Sequence, residues 1–270
     1  TKLRSHALKA EDVPPSVRAI VRCGAGTNNC NVPLMTKLGI PVFNTPGANA
    51  NSVKELAVAG MLLASRGIVQ GINHMYSLGE QGLAKERIEK DKKQFAGQEI
   101  KGKTLGVVGL GAIGAQVAEA ALALGMDVVG YDPALSLEAA LRLPGRHVKT
   151  VESLNELMRE SDYVSLHAPY IPDVTHHMID REALLHMKPS TSILNFARGE
   201  LVDEEALCKL FDAGSHGYYI TDFASDALWN HPQCMVVPHL GASTAEAEEA
   251  AAMMAAETLC LFLETGEIRH

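Results

Sequence analysis

The sequence predicts an α/β protein. A doubly wound parallel-sheet domain over residues 97–243 is set into a smaller α/β portion made of residues 1–96 and 244–270. Three observations predict it. From Thr104 onward, short β-rich runs alternate with helical runs, the order that builds a parallel sheet with helices on both faces. A glycine-rich turn, Gly109-Leu-Gly-Ala-Ile-Gly114, stands between the first such run and the helix after it. A polar stretch from Gly79 to Lys103, including Lys85-Glu-Arg-Ile-Glu-Lys-Asp-Lys-Lys93, marks a boundary in composition.

The first portion is read from its charge and its apolar helix. Residues 1–40 hold six basic residues (Lys2, Arg4, Lys9, Arg18, Arg22, Lys37) against Glu11 and Asp12, a local +4 in a chain of net charge −8. Nucleic-acid binders carry a basic footprint, so an acidic chain of this kind argues against DNA and RNA as partners. A basic corner on an acidic protein fits a small anionic ligand or a solvated face. Ser52-x-x-Glu55 reads as a capping box opening Leu56 to Ala64, which is apolar nearly all round and so expected in a core or a subunit interface. The apolar stretch Val53–Ala64 is too short for a membrane span and carries Lys54 and Glu55, and Thr1-Lys-Leu-Arg-Ser5 lacks the apolar run of a signal peptide. Five scattered cysteines without a C-x-x-C pattern read as neither a disulfide framework nor a zinc site, so no metal and a reducing cytoplasm are expected.

The second portion follows strand by strand. Thr104–Gly109 leads into a helix to about Leu124, and Asp127–Asp132 is the next strand. Tyr163–Ala168, Ser192–Ala197, Tyr218–Asp222 and Cys234–Val237 continue the series, each bounded by turn residues. Asp203 reads as the N-cap of a helix to Ala213 with Gly214 as its stop. Ser243-x-x-Glu246 reads as a second capping box, opening an Ala-rich helix to about Glu264.

A lone G-x-G-x-x-G carries little information, but here it follows a strand, opens a helix, and is answered by Asp132 at the end of the next strand. Gly109, Gly111 and Gly114, with Ala112 and Ile113 between them, allow a tight turn and close approach of a pyrophosphate to the helix N-terminus. Asp132 can accept hydrogen bonds from ribose hydroxyls and its charge disfavours a 2′-phosphate, which predicts a Rossmann-type domain that binds NAD. Three ionisable residues fall at other strand ends: Arg198, Asp222 and His239. In an open parallel sheet that edge is where ligands bind. Singly, Arg198 fits a salt bridge, Asp222 a turn cap and His239 a half-buried histidine. Jointly, beside a nicotinamide, they fit oxidation of a 2-hydroxy acid, with histidine taking the hydroxyl proton and the arginine fork holding the carboxylate.

Gly109–Gly114, Asn195-Phe-Ala-Arg-Gly-Glu-Leu-Val-Asp203 and Pro238-His-Leu-Gly-Ala-Ser-Thr244 resemble the D-isomer-specific 2-hydroxyacid dehydrogenases. Arg4-Ser5, Arg22-Cys-Gly-Ala-Gly-Thr27 and Asn44-Thr-Pro-Gly-Ala-Asn49 are similar to substrate-domain motifs of the members that oxidise 3-phosphoglycerate. The resemblance implies Arg198 and His239 as catalytic residues, Phe196, Ala197, Asp222 and Gly241 on the cofactor side, and Arg4, Ser5, Arg22 and Asn49 on substrate phosphate and carboxylate. It also implies a homodimer with the first apolar helix at its interface. The family has a strand–helix portion before Arg-Ser, so the substrate domain is expected to be incomplete at its N-terminus. Many members that oxidise 3-phosphoglycerate continue into a C-terminal regulatory domain, where this sequence ends at His270. The family pairs its histidine with a glutamate in D-V-F-x-x-E-P; here Asp222-Phe-Ala-Ser-Asp226-Ala-Leu has none, and Asp226 is the nearest stand-in.

Overall fold

In the computed structural model, residues 13–27, 29–143, 147–229 and 231–269 are described; Arg4 and Ser5 lie outside them. The described residues form two compact units. One runs through Val53 and resumes at Gly241; the other is Lys54–Leu240.

In the first unit, β1 (Ile20–Val21) precedes α1 (Val32–Lys37) and pairs in parallel with β2 (Val42–Phe43). Asn31 caps α1 by accepting the Leu34 N–H at 3.2 Å. Helix α2 (Ala50–Ser65) begins at the end of this unit and carries the chain into the second. It starts before Ser52, so the expected capping box is not its N-cap: Ser52 is buried inside the helix, and the Val53 N–H bonds to the Asn49 carbonyl.

The stretch read as a polar boundary is helical. α3 (Ile68–Glu80), α4 (Ala84–Asp91) and a 3-10 turn at Lys92–Phe95 are tied by Asp91, which accepts from His74 Nε2 at 2.9 Å and Arg87 Nη2 at 2.9 Å. A run of charges therefore marks a helical face here, and the first compact unit runs through Val53.

Then come β3 (Thr104–Val108), α5 (Ala112–Ala123), β4 (Asp127–Tyr131), α6 (Leu137–Arg142), β5 (Val148–Thr150), α7 (Leu154–Glu160) and β6 (Tyr163–Leu166). They are followed by α8 (Arg181–Leu185), β7 (Ser192–Asn195), α9 (Glu204–Asp212), β8 (Tyr219–Thr221), β9 (Cys234–Val236) and α10 (Ala245–Thr265). The seven strands β3 to β9 form one sheet in the order β5-β4-β3-β6-β7-β8-β9, every pair parallel. The order reverses between β3 and β6. A parallel sheet whose order reverses in this way has, by the right-handed crossover rule, its connecting helices on opposite faces on the two sides of that point, the doubly wound arrangement. Because the middle of the sheet is covered, its inner strands are largely apolar: Val108, Val164, Leu166, Ile193 and Tyr219 are buried together.

Asp203 caps α9 as expected, accepting the Ala206 N–H at 2.9 Å, and Gly214 at φ +107° follows the helix. The last helix starts one residue later than its predicted box: Thr244, not Ser243, accepts the Ala247 N–H at 3.1 Å. Back in the first unit, α10 buries the Ala247, Ala251, Ala255 stripe and sets Phe262 against Phe43 of β2, with ring centroids 5.3 Å apart.

Candidate active site

Six strand ends of the sheet carry the residues of interest on one edge. The turn after β3 is shaped by its glycines. Gly109 adopts φ +89°, and a Cβ there would fall 2.8 Å from the His167 carbonyl. A Cβ on Gly114 would lie 1.9 Å from the Gly109 oxygen, so only glycine lets α5 start this close to the turn. Gly111, by contrast, has nothing within 4 Å of a built Cβ, leaving open space at the N-terminus of α5. Ala112 and Ile113 follow it in the first turn of the helix, whose N–H groups project from that end.

Asp132, after β4, is locked to the turn. Its Oδ2 accepts the Leu110 N–H at 2.8 Å and its Oδ1 the Ala134 N–H at 2.9 Å. Each oxygen keeps a second lone pair for a hydroxyl donor. Open space at a helix N-terminus flanked by a fixed carboxylate fits the pyrophosphate and ribose of NAD.

His167, after β6, was not among the predicted residues. Its Nε2 lies 2.8 Å from Ser165 Oγ, and burial pushes its imidazole down to about 4, so the ring under the glycine turn is neutral near pH 7. The sequence signal was there: it is another ionisable residue directly after a strand.

After β7, Phe196 is buried and packs its ring at Gly60 of α2, while Ala197 and Arg198 are half-buried. Arg198 Nη1 donates to the Ala197 carbonyl at 2.6 Å. Gly199 then lies against Phe223, within 3.3 Å of its Cβ when a Cβ is built. The Phe223 ring meets His239 edge-on, with centroids 5.0 Å apart. Asp222, buried at the end of β8, places Oδ2 3.7 Å from His239 Nδ1. That is ion-pair distance, longer than a hydrogen bond. Phe223, beside Asp222, therefore stands between Gly199, next to Arg198, and the His239 ring. Asp226 is exposed in the following turn.

Gly241 is buried and begins the other compact unit. That unit also holds Arg22, whose guanidinium folds over Gly24, and Asn49, whose Oδ1 is buried without a hydrogen-bond partner among the described residues.

A parallel doubly wound sheet with a glycine turn, an acidic second strand end, and arginine, aspartate and histidine on the same edge defines a dinucleotide-dependent dehydrogenase domain. Comparison with known proteins narrows the class. The family described as "D-isomer specific 2-hydroxyacid dehydrogenase, NAD binding domain" matches residues 58–241. The D-3-phosphoglycerate dehydrogenase of Methanocaldococcus jannaschii is 39% identical over 249 residues, 90% of this chain and 45% of its own length. The hydroxypyruvate reductase of Thermotoga maritima is 38% identical over 86% of this chain and 73% of its own length. The NAD+-bound 3-phosphoglycerate dehydrogenase of Entamoeba histolytica superposes with a TM-score of 0.75 at 31% identity, covering 94% of this chain and 75% of that one. The chain belongs to the D-isomer specific 2-hydroxyacid dehydrogenases and carries their NAD-binding domain. It spans about half the length of the first of these relatives.

Proposed function

We propose that this protein is an NAD-dependent dehydrogenase that oxidises 3-phospho-D-glycerate to 3-phosphohydroxypyruvate. The observation that carries the reading is the ion-pair distance between Asp222 and His239 at the carboxyl edge of the sheet, where Arg198 follows the neighbouring strand β7. NAD, when bound, supplies the acceptor for the hydride that leaves C2. The protein does the rest. His239 takes the hydroxyl proton, the Arg198 fork binds the substrate carboxylate, and Asp222 orients His239 through Nδ1, a role assigned to it ahead of Asp226. Asp222 and its neighbours Phe196, Ala197 and Gly241 also line the cofactor side. Asp132 selects NAD over NADP by like-charge repulsion of a 2′-phosphate. The phosphate reading draws on the basic N-terminal corner, with Arg4, Ser5, Arg22 and Asn49 as its ligands. A cytoplasmic homodimer, with residues 97–243 as the cofactor domain, belongs to the same proposal.

The hydroxypyruvate reductase among its relatives supports a second reading, reduction of an unphosphorylated 2-oxo acid. Steady-state assays separate the two. The first expects kcat/KM with 3-phosphoglycerate and NAD to exceed that with glycerate; the reverse order would favour the reductase. Arg198→Lys keeps the charge but loses the fork, so it should cost on the order of 10²-fold in kcat/KM. An unchanged rate would leave Arg198 as a structural ion-pair partner, and no turnover with any 2-hydroxy or 2-oxo acid would reduce the protein to an NAD-binding member without catalysis.

A further inference from the structure

We propose that Glu204 is a positioning residue of this site, holding the Arg198 turn and the loop after β8 together through one half-buried hydrogen-bond relay. The inference rests on the dehydrogenase reading above. Glu204 is the first residue of α9, directly after the N-cap Asp203. An acidic side chain there ordinarily faces solvent and the helix dipole, and its neighbour Glu205 does so. Glu204 instead turns inward. Its Oε2 accepts from Ser225 Oγ, in the loop that follows Asp222. Its Oε1 accepts from Tyr219 Oη at 3.2 Å. Tyr219 is fully buried, and its oxygen accepts from Asn195 Nδ2 at 3.1 Å. The same Nδ2 donates to the Arg198 carbonyl at 2.8 Å, while Asn195 Oδ1 accepts the Ala197 N–H at 3.2 Å.

The protons run one way through this relay. The Asn195 amide has two hydrogens and uses both, on Arg198 and on Tyr219. The tyrosine hydrogen is then left for Glu204, and Ser225 supplies a second donor to the same group. Two hydroxyl donors converge on one carboxylate, one on each oxygen, and they oppose the burial that pushes its acid up. His177 and the Cys208 and Cys234 thiols are the other titratable groups facing it. One end of the relay fixes the backbone that presents Arg198; the other fixes the loop between Asp222 and Asp226.

The test combines kinetics with hydrogen exchange on the full chain. Glu204→Gln replaces one acceptor oxygen with a donor, so one hydroxyl loses its partner. The folded variant should lose on the order of 10-fold in kcat/KM, chiefly through KM for the 2-hydroxy acid. Amides 196–199 and 223–228 should exchange faster. Ser225→Ala should reproduce both effects where Glu204→Gln folds poorly, and Ser225→Thr, which keeps the hydroxyl, should restore them. Glu204→Gln combined with Tyr219→Phe should be no worse than Glu204→Gln alone, because both cut the same relay. Kinetic constants and exchange unchanged in folded Glu204→Gln and Ser225→Ala, or fully additive losses in the double variant, would overturn the proposal. Should the unaltered protein turn over no substrate, the dehydrogenase reading fails, and the exchange measurement alone decides the relay: faster exchange at both segments upholds it, unchanged exchange ends it.

Discussion

His167 shows how one side chain ties the site to the stability of the fold. Burial holds its imidazole down to about 4, against a free value of about 6.5. Between those values the unfolded chain takes up a proton that the native protein refuses, so stability is lost as pH falls from about 6.5 toward 4. The whole shift corresponds to roughly 3 kcal/mol at the acid end. His167→Asn keeps a polar partner for Ser165 and removes the titration, so urea midpoints of the variant should fall less between pH 7 and pH 4.5 than those of the unaltered protein. Parallel losses would assign the acid sensitivity to other groups. Arg22 makes a second case. Gly24 sits at φ +145°, and a Cβ there would lie 2.0 Å from Arg22 Nη1, so the glycine leaves the room the guanidinium occupies. If Arg22 binds phosphate, Arg22→Ala should raise KM for 3-phosphoglycerate about 10- to 150-fold, the equivalent of a charge-assisted hydrogen bond, and leave an unphosphorylated 2-hydroxy acid nearly unaffected. Equal losses on both substrates would make Arg22 a fold-supporting residue. Arg198, Asp222 and His239 were legible in the sequence because each follows a β-rich run and the edge of a parallel sheet is a known place for chemistry. Glu204 was not, because a first-turn glutamate after an aspartate cap looks the same whether it faces water or Tyr219. Burial distinguishes the two, and burial comes from residues distant in the chain.

At the scale of elements, the glycine turn is the feature most constrained by geometry. In Gly114→Ala the new methyl would fall 1.9 Å from the Gly109 oxygen, a backbone atom, and 3.2 Å from a Val107 methyl. α5 must move away from the turn, taking with it the N-terminal N–H groups and the Leu110–Asp132 hydrogen bond. Overpacking of this kind costs about 1–3 kcal/mol, and NADH affinity should fall together with the melting temperature. A variant with native Tm and native NADH affinity would show that the turn relaxes without penalty. The same element explains why the strands β3, β4, β6 and β7 were readable: each is an apolar run buried on both faces. β5 was missed because Val148-Lys-Thr150 is three residues long, half-exposed, and paired at the sheet edge only by β4. The cap of α9 was placed at its residue, that of α10 one residue early and that of α2 three residues late. Ser243 and Thr244 are adjacent hydroxyls, and the choice between them is made by backbone angles that composition does not encode.

At the scale of the molecule, the predicted cofactor residues from Gly109 to Asp222 fall within Lys54–Leu240, and Gly241 follows directly. That unit contains all seven strands of the sheet and the buried cluster around Val108, Leu166, Ile193 and Tyr219. A core of this size can support an independent fold. A chain cut to residues 50–241, which keeps α2 whole, should therefore fold and bind NADH with the affinity of the full protein. A ligand that binds only the native state adds RT ln(1 + [L]/Kd), about 2.7 kcal/mol at 100 times Kd. For a unit of this length that is a rise of roughly 5–10 °C in Tm. Equal rises for the two chains place the whole cofactor site on the sheet unit. A fragment that melts cooperatively yet gains nothing from NADH would mean that residues through Val53 or beyond Gly241 complete the site, and the glycine turn with Asp132 would then be necessary for binding but not enough.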